Sequence, residues 1–164
     1  METDEAILQK TLTDLKEGTQ AMRQIQFYSR PALIILRYLD LTTPMFSKGG
    51  AAGELLMQAL KEKYTALWNR LTELEVLEPE ERGTYLPEKF PPISVTKWKR
   101  AVKESQERMG RVAMVYNPKV AAIFRYNMQT IPRYKMSTEA AKLIEEVLEK
   151  RYPEEWAKAK TASE

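Results

Sequence analysis

Six cations and no acid stand between Arg108 and Thr138: Arg108, Arg111, Lys119, Arg125, Arg133 and Lys135. Tyr116, Phe124, Tyr126 and Tyr134 are interleaved with them, as are the amides Asn117, Asn127 and Gln129. The chain as a whole is only +3, so a segment of +6 leaves −3 for the rest. Lys and Arg side chains neutralise phosphates and release counterions, which gives affinity without sequence preference. Aromatic rings and amides add stacking and hydrogen bonds to sugar and phosphate. The pattern therefore reads as a nucleic-acid footprint. Two other readings stand beside it: a solvated basic face whose Tyr and Phe residues belong to the core, and a face for an acidic protein.

Upstream, Lys97, Arg100, Arg108 and Arg111 fall in one stripe of a helix at 100° per residue. Glu104 and Glu107 fall in the same stripe, and Arg100–Glu104 and Glu107–Arg111 are ordinary i,i+4 partners. Trp98 reads as core. Gly49-Gly50-Ala51-Ala52-Gly53 follows Lys48 and precedes a helix, where free N–H groups attract phosphate. It lacks the G-x-x-x-x-G-K-[ST] spacing, and its default reading is a small-residue turn.

Catalytic chemistry has little to work with. Cysteine and histidine are absent, so thiolate nucleophiles, imidazole bases and His metal sites are excluded. Glu73, Glu75 and Glu78, and Glu145, Glu146 and Glu149, read as solvated helix faces. We expect no enzyme, no cofactor, no metal and no small-molecule substrate. The N-terminus is acidic and polar, unlike a signal peptide. The most apolar run, Ala32 to Leu41, is too short to span a bilayer and contains Arg37 and Asp40.

The elements that would hold these residues are helical throughout. The spacing predicts an all-α bundle of five to six helices in one domain, residues 1–164. Asp4 starts a first helix running through Leu8, Leu12, Leu15, Met22 and Ile25. Ser29 before Arg30-Pro31 starts a second, to about Leu41, apolar on nearly every face and so buried in the core or under a neighbouring subunit. A third runs to about Val76 on the seam Leu56, Leu60, Tyr64, Leu67, Leu71 and Leu74. Glu78 to Pro92, with five of its residues Pro or Gly, is predicted to be an extended linker or arm. Ser94 starts a fourth helix reaching Tyr116, Asn117-Pro118 a fifth to about Thr130, and Ser137 a sixth to about Tyr152. Pro153 allows a short further turn holding Trp156. No internal repeat is evident, and no strand pattern is stronger than Ile93 to Thr96.

The run Tyr116-Asn117-Pro118-Lys119-Val120-Ala121, after a basic helix with Trp98, resembles a stretch in coat proteins of rod-shaped and filamentous archaeal viruses. The resemblance spans Lys97 to Met136. It implies a small helical coat subunit, pairing with itself or a related subunit and wrapping linear double-stranded DNA, held in the A form, inside a helical virion. A different class shares the same size and basic helical face: the small helical subunit of a CRISPR RNA-guided effector complex, which would be cytoplasmic. A third is a helical protein-interaction subunit that binds no nucleic acid.

Overall fold

The computed structural model describes residues 4–18, 24–74, 76, 85–107, 112–115 and 118–164. Among them are eight helices and two short strands, in place of the five to six helices expected. Helix α1 spans Asp4–Glu17 and stops before Gly18; strand β1 comes next at Gln24–Phe27. Ser29 caps α2 (Arg30–Thr42), accepting a hydrogen bond from the Ala32 N–H, with Pro31 in the first turn where no intrahelical donor is needed. Ser47 caps α3 (Lys48–Lys63) in the same way through the Gly50 N–H, and α4 is Thr65–Glu73. Helix α5 (Val95–Glu107) leads to strand β2 (Val112–Val115), then α6 (Pro118–Thr130), α7 (Met136–Arg151) and α8 (Pro153–Ser163).

Two of the extra helices come from breaks at tyrosines. Tyr64 leaves the helical region (φ −119°, ψ 50°) in the middle of the seam expected to run unbroken to Val76. Tyr152 does the same (φ −133°, ψ 65°) before Pro153, and α8 is a full helix rather than a short turn. The strands replace parts of the first and fourth predicted helices. Helix α7 begins two residues early, with Lys135 rather than Ser137 at its N-cap.

The order helix–strand–helix–helix–helix occurs twice, which corrects the expectation of no repeat. Arg30, Lys48 and Thr65 open α2, α3 and α4; Pro118, Met136 and Pro153 open α6, α7 and α8, each 88 positions later. The same step relates Tyr38 to Tyr126, Thr42 to Thr130, Pro44 to Pro132, Tyr64 to Tyr152 and Trp68 to Trp156. Met45 and Arg133, each directly after one of those prolines, both have φ of 60°. Thr42 and Thr130 each return a side-chain hydrogen bond to the carbonyl of their Tyr, at 2.8 and 3.0 Å.

The halves interlock. Helix α1 packs on α6 and α5 on α2, while α3 packs on α7. Strands β1 and β2 pair antiparallel, Gln24 opposite Val115 and Phe27 opposite Val112, with β1 lying on α7 and β2 on α3. One cluster of buried side chains runs through both halves. The over-apolar helix α2 is covered by α5 and α8 of its own chain, so it needs no neighbouring subunit.

The extended arm is also corrected. Of Glu78 to Pro92, the described part, 85–92, lies against the core. Leu86 and Phe90 are buried, the Phe90 ring stacks on Tyr38 at 5.5 Å, and the Tyr152 hydroxyl donates to the Pro87 carbonyl. A Cβ on Gly50 would stand 2.4 Å from the Tyr85 ring, so the glycine admits this segment to α3. Ile93 to Thr96 is not a strand: Val95 opens α5.

Candidate nucleic-acid interface

The predicted site divides into three groups. Arg108, Arg111, Tyr116 and Asn117 lie outside the described residues. A second group goes inward. Lys119 is 5 % exposed, donates to Thr72 Oγ1 at 3.0 Å and lies 5.1 Å over the Trp68 ring. Phe124 and Asn127 are buried, Asn127 beside the hydroxyls of Tyr64 and Tyr134. Those two hydroxyls both donate to Glu139 Oε1, at 2.7 and 2.9 Å, and burial pushes both phenols well above their ordinary range. Tyr126 is half-buried against the core and Arg125 is half-buried in α6. These residues hold α6 and α7 in place rather than presenting an open charged face to a ligand. In the resembling run, Lys119, Val120 and Ala121 are core.

The third group is exposed: Lys97, Arg100, Arg133 and Lys135. Lys97 and Arg100 belong to a larger set on α5. Trp98, Ala101 and Ser105 face the core, which leaves Lys97, Lys99, Arg100 and Lys103 on the solvent side. Lys99 and Lys103 are additions to the expected set, although helical periodicity around buried Trp98 puts them there. Glu104 offsets part of this charge but is shared with α2. It is bound by Arg37 of α2 and by Arg100 at 2.9 Å, which together hold its carboxyl down to about 2.

The ribbon is the other surface of interest. Ile25 and Phe27 are fully buried, whereas Gln26 is exposed and Tyr28 is 47 % exposed, so β1 turns alternate side chains to the core and to solvent. A cleft of about 440 Å³ adjoins it, between Phe27 and Tyr28 on one side and Ser137, Thr138, Lys142 and Glu145 at the start of α7 on the other. Strand β2 lies inside the acid-free segment Arg108 to Thr138. Strand β1 lies inside a second acid-free stretch, Gly18 to Leu39, which carries Arg23, Arg30 and Arg37. That stretch, with Ile25 and Phe27 alternating in it, was the signal for Gln26 and Tyr28. The fold pairs the two acid-free stretches as neighbouring strands.

Among the described residues no group of carboxylates could hold a metal ion, and no helix is long and apolar enough to cross a membrane. No family model, no curated protein and no solved structure matches the chain.

Proposed function

We propose that the protein is a small nucleic-acid-binding subunit that engages duplex DNA through the outer face of the β1–β2 ribbon. One observation carries this reading: the two acid-free stretches are the ones paired as strands, with Gln26 and Tyr28 on the open side. The major groove of B-form DNA is wide enough to admit a two-stranded ribbon, and an amide such as Gln26 can pair with the edge of an adenine. The deep, narrow major groove of an A-form helix cannot be read in this way. The ligand is therefore B-form DNA rather than an RNA duplex or A-form DNA.

A coat subunit is no longer the best setting. The resemblance that suggested it drew support from an apolar helix and a Pro-rich arm, but α2 is covered within this chain and the described part of the arm, 85–92, lies against its core. The small subunit of an RNA-guided effector complex is the second reading, favoured by the basic side of α5, which suits a backbone of any form.

The test is binding to a B-form duplex, an RNA duplex and single-stranded RNA, with and without Gln26→Asp and Tyr28→Asp together. Loss of roughly tenfold or more on B-form DNA is expected for the pair. DNA binding that ignores both substitutions would sink the ribbon reading. Preference for single-stranded RNA would favour the effector subunit, and no salt-dependent binding at all would leave a protein-interaction subunit.

A further inference from the structure

The repeat supplies an internal control for the charge on α5. Its twin is α1. Leu8, Thr11 and Leu15 are buried in α1 as Trp98, Ala101 and Ser105 are in α5, a step of 90 positions. On that step, exposed Gln9, Lys10 and Thr13 stand where α5 has Lys99, Arg100 and Lys103. Both helices do the same packing task, each against the second helix of the opposite half. The fold therefore does not require cations at these places, because α1 does without all but one. As a whole, α1 has two Lys against four acids, whereas α5 has four cations against two acids. One of those two acids, Glu104, is shared between Arg100 and Arg37, which also pairs with Asp40.

We infer that the solvent side of α5 is a phosphate-backbone contact carried by the second half only, extending the ribbon's hold on a duplex to one side. The inference rests on the ribbon reading for the identity of the ligand. Lys97, Lys99, Arg100 and Lys103 cover the surface, and Lys158 of α8 adds a fifth charge at its edge, its ammonium 5.6 Å over the Trp98 ring. The chain keeps the two surfaces close. Glu107 ends α5 and Val112 begins β2, so at most roughly 18 Å of extended backbone separates them. Because this is an upper bound, α5 lies within reach of a duplex that extends past the ribbon on this side. The exposed side of α1, with its acids in excess, offers the duplex no matching charge. The bound complex is thus lopsided although the fold is repeated, and the contact is to backbone, so it carries no base preference.

The experiment compares a duplex of about one helical turn with one of about four turns, centred on the same sequence, for the wild type and for Lys99→Gln with Lys103→Gln. Both substitutions lie on solvent-facing positions, and thermal unfolding checks that the fold is unchanged. Expected is a loss on the long duplex, with a salt slope reduced by about 2, and no greater loss on the short one. The reverse variant, Gln9→Lys with Thr13→Lys, gives the twin helix the same charge and should strengthen long-duplex binding. No loss on the long duplex, or a loss with an unchanged salt slope, would overturn the inference. If the glutamine variant behaves as expected while the Gln26→Asp and Tyr28→Asp protein still binds the short duplex, the ribbon reading fails and the α5 contact stands. A wild type that binds neither duplex overturns both.

Discussion

Tyr38 and Tyr126 hold one position of the repeated unit, each set against the start of the other half's first helix. The Tyr38 hydroxyl donates to the Pro92 carbonyl at 2.7 Å and accepts from the Ser94 N–H at 2.9 Å, pinning the chain as it enters α5. Tyr126 is half-buried near Asp4 and Glu5 at the start of α1; burial first, and then those two carboxylates, raise its phenol above the ordinary value. The interlock of the halves is thus built on equivalent residues, with the Tyr38 side locked by two backbone hydrogen bonds.

Tyr38→Phe should therefore cost about 1–3 kcal/mol, because it removes two hydrogen bonds at a partly buried junction. Tyr126→Phe should cost less than about 0.5 kcal/mol, as expected away from such a junction. Urea unfolding of the two variants checks this; equal losses would mean that the Tyr38 bonds contribute nothing beyond packing.

Lys119 separates a structural cation from a binding one. Its ammonium is enclosed between Thr72 and the Trp68 ring, so Lys119→Glu places an uncompensated carboxylate in the core and should destabilise by about 3 kcal/mol or more. Arg133→Glu, on an exposed turn, should leave the melting temperature nearly unchanged. A Lys119→Glu protein of normal stability would return Lys119 to the set of candidate contacts.

Much of this was open to sequence reasoning, and the failures have physical causes. Ser29-Arg30-Pro31 and Asn117-Pro118 mark helix starts through local chemistry, and α2 and α6 stand where those residues put them, whereas Gly49 to Gly53, expected as a turn before the third helix, lies inside α3, which Ser47 caps. Strand β1 was hidden because Ile25 also fits the helical spacing from Leu15 and Met22, and its partner strand lies 88 positions away. The break at Tyr64 carries neither Gly nor Pro, so an unbroken apolar seam concealed it. The repeat was hidden because the shared residues stand scattered among unlike neighbours: Tyr38 and Tyr126, Pro44 and Pro132, Tyr64 and Tyr152, Trp68 and Trp156. The inward turn of Lys119 could not be read from charge; it needed Trp68 and Thr72 from the opposite half.

Acid should weaken the junction of α2 and α5. Glu104 is held down to about 2 by its hydrogen bonds to Arg37 and then Arg100, from an ordinary value of 4.5. A carboxyl with a depressed value in the folded state contributes stability that is fully present above its unfolded value. That contribution should fade as pH drops from about 4.5 towards 2, and Glu104→Gln should flatten this part of the stability profile. Denaturant midpoints at pH 6, 4 and 3 on both proteins check it, and parallel curves would count against the ion pairs.

Met45 and Arg133 offer a test of the repeat through backbone strain. Each is a non-glycine residue at φ 60°, directly after a proline that ends a helix. The left-handed conformation costs a side-chain-bearing residue roughly 1–2 kcal/mol, and glycine's extra freedom in the unfolded chain returns part of that. Met45→Gly and Arg133→Gly should each raise stability by a few tenths to about 1 kcal/mol. Calorimetry should find the same sign at both sites, and opposite signs would mean that the turns are not equivalent.

The repeat also predicts how the chain behaves when cut. Helix α1 has its packing surface on α6, and α5 has its own on α2, so neither half can close its core alone. Severing the chain between Glu80 and Glu81 leaves every described element intact. Each fragment alone should lack the cooperative unfolding of the whole, because Tyr38, Trp98 and the partners of α3 and α7 are divided between them. Mixed in equal amounts, the fragments should recover helical circular dichroism and a single transition whose midpoint rises with concentration, as association requires. The first fragment alone could form a homodimer by offering α1 to a second copy of α2, and analytical ultracentrifugation would detect this. A first fragment that folds cooperatively as a monomer would show that the interlock is incidental, and would remove the internal control that sets the charge of α5 against that of α1.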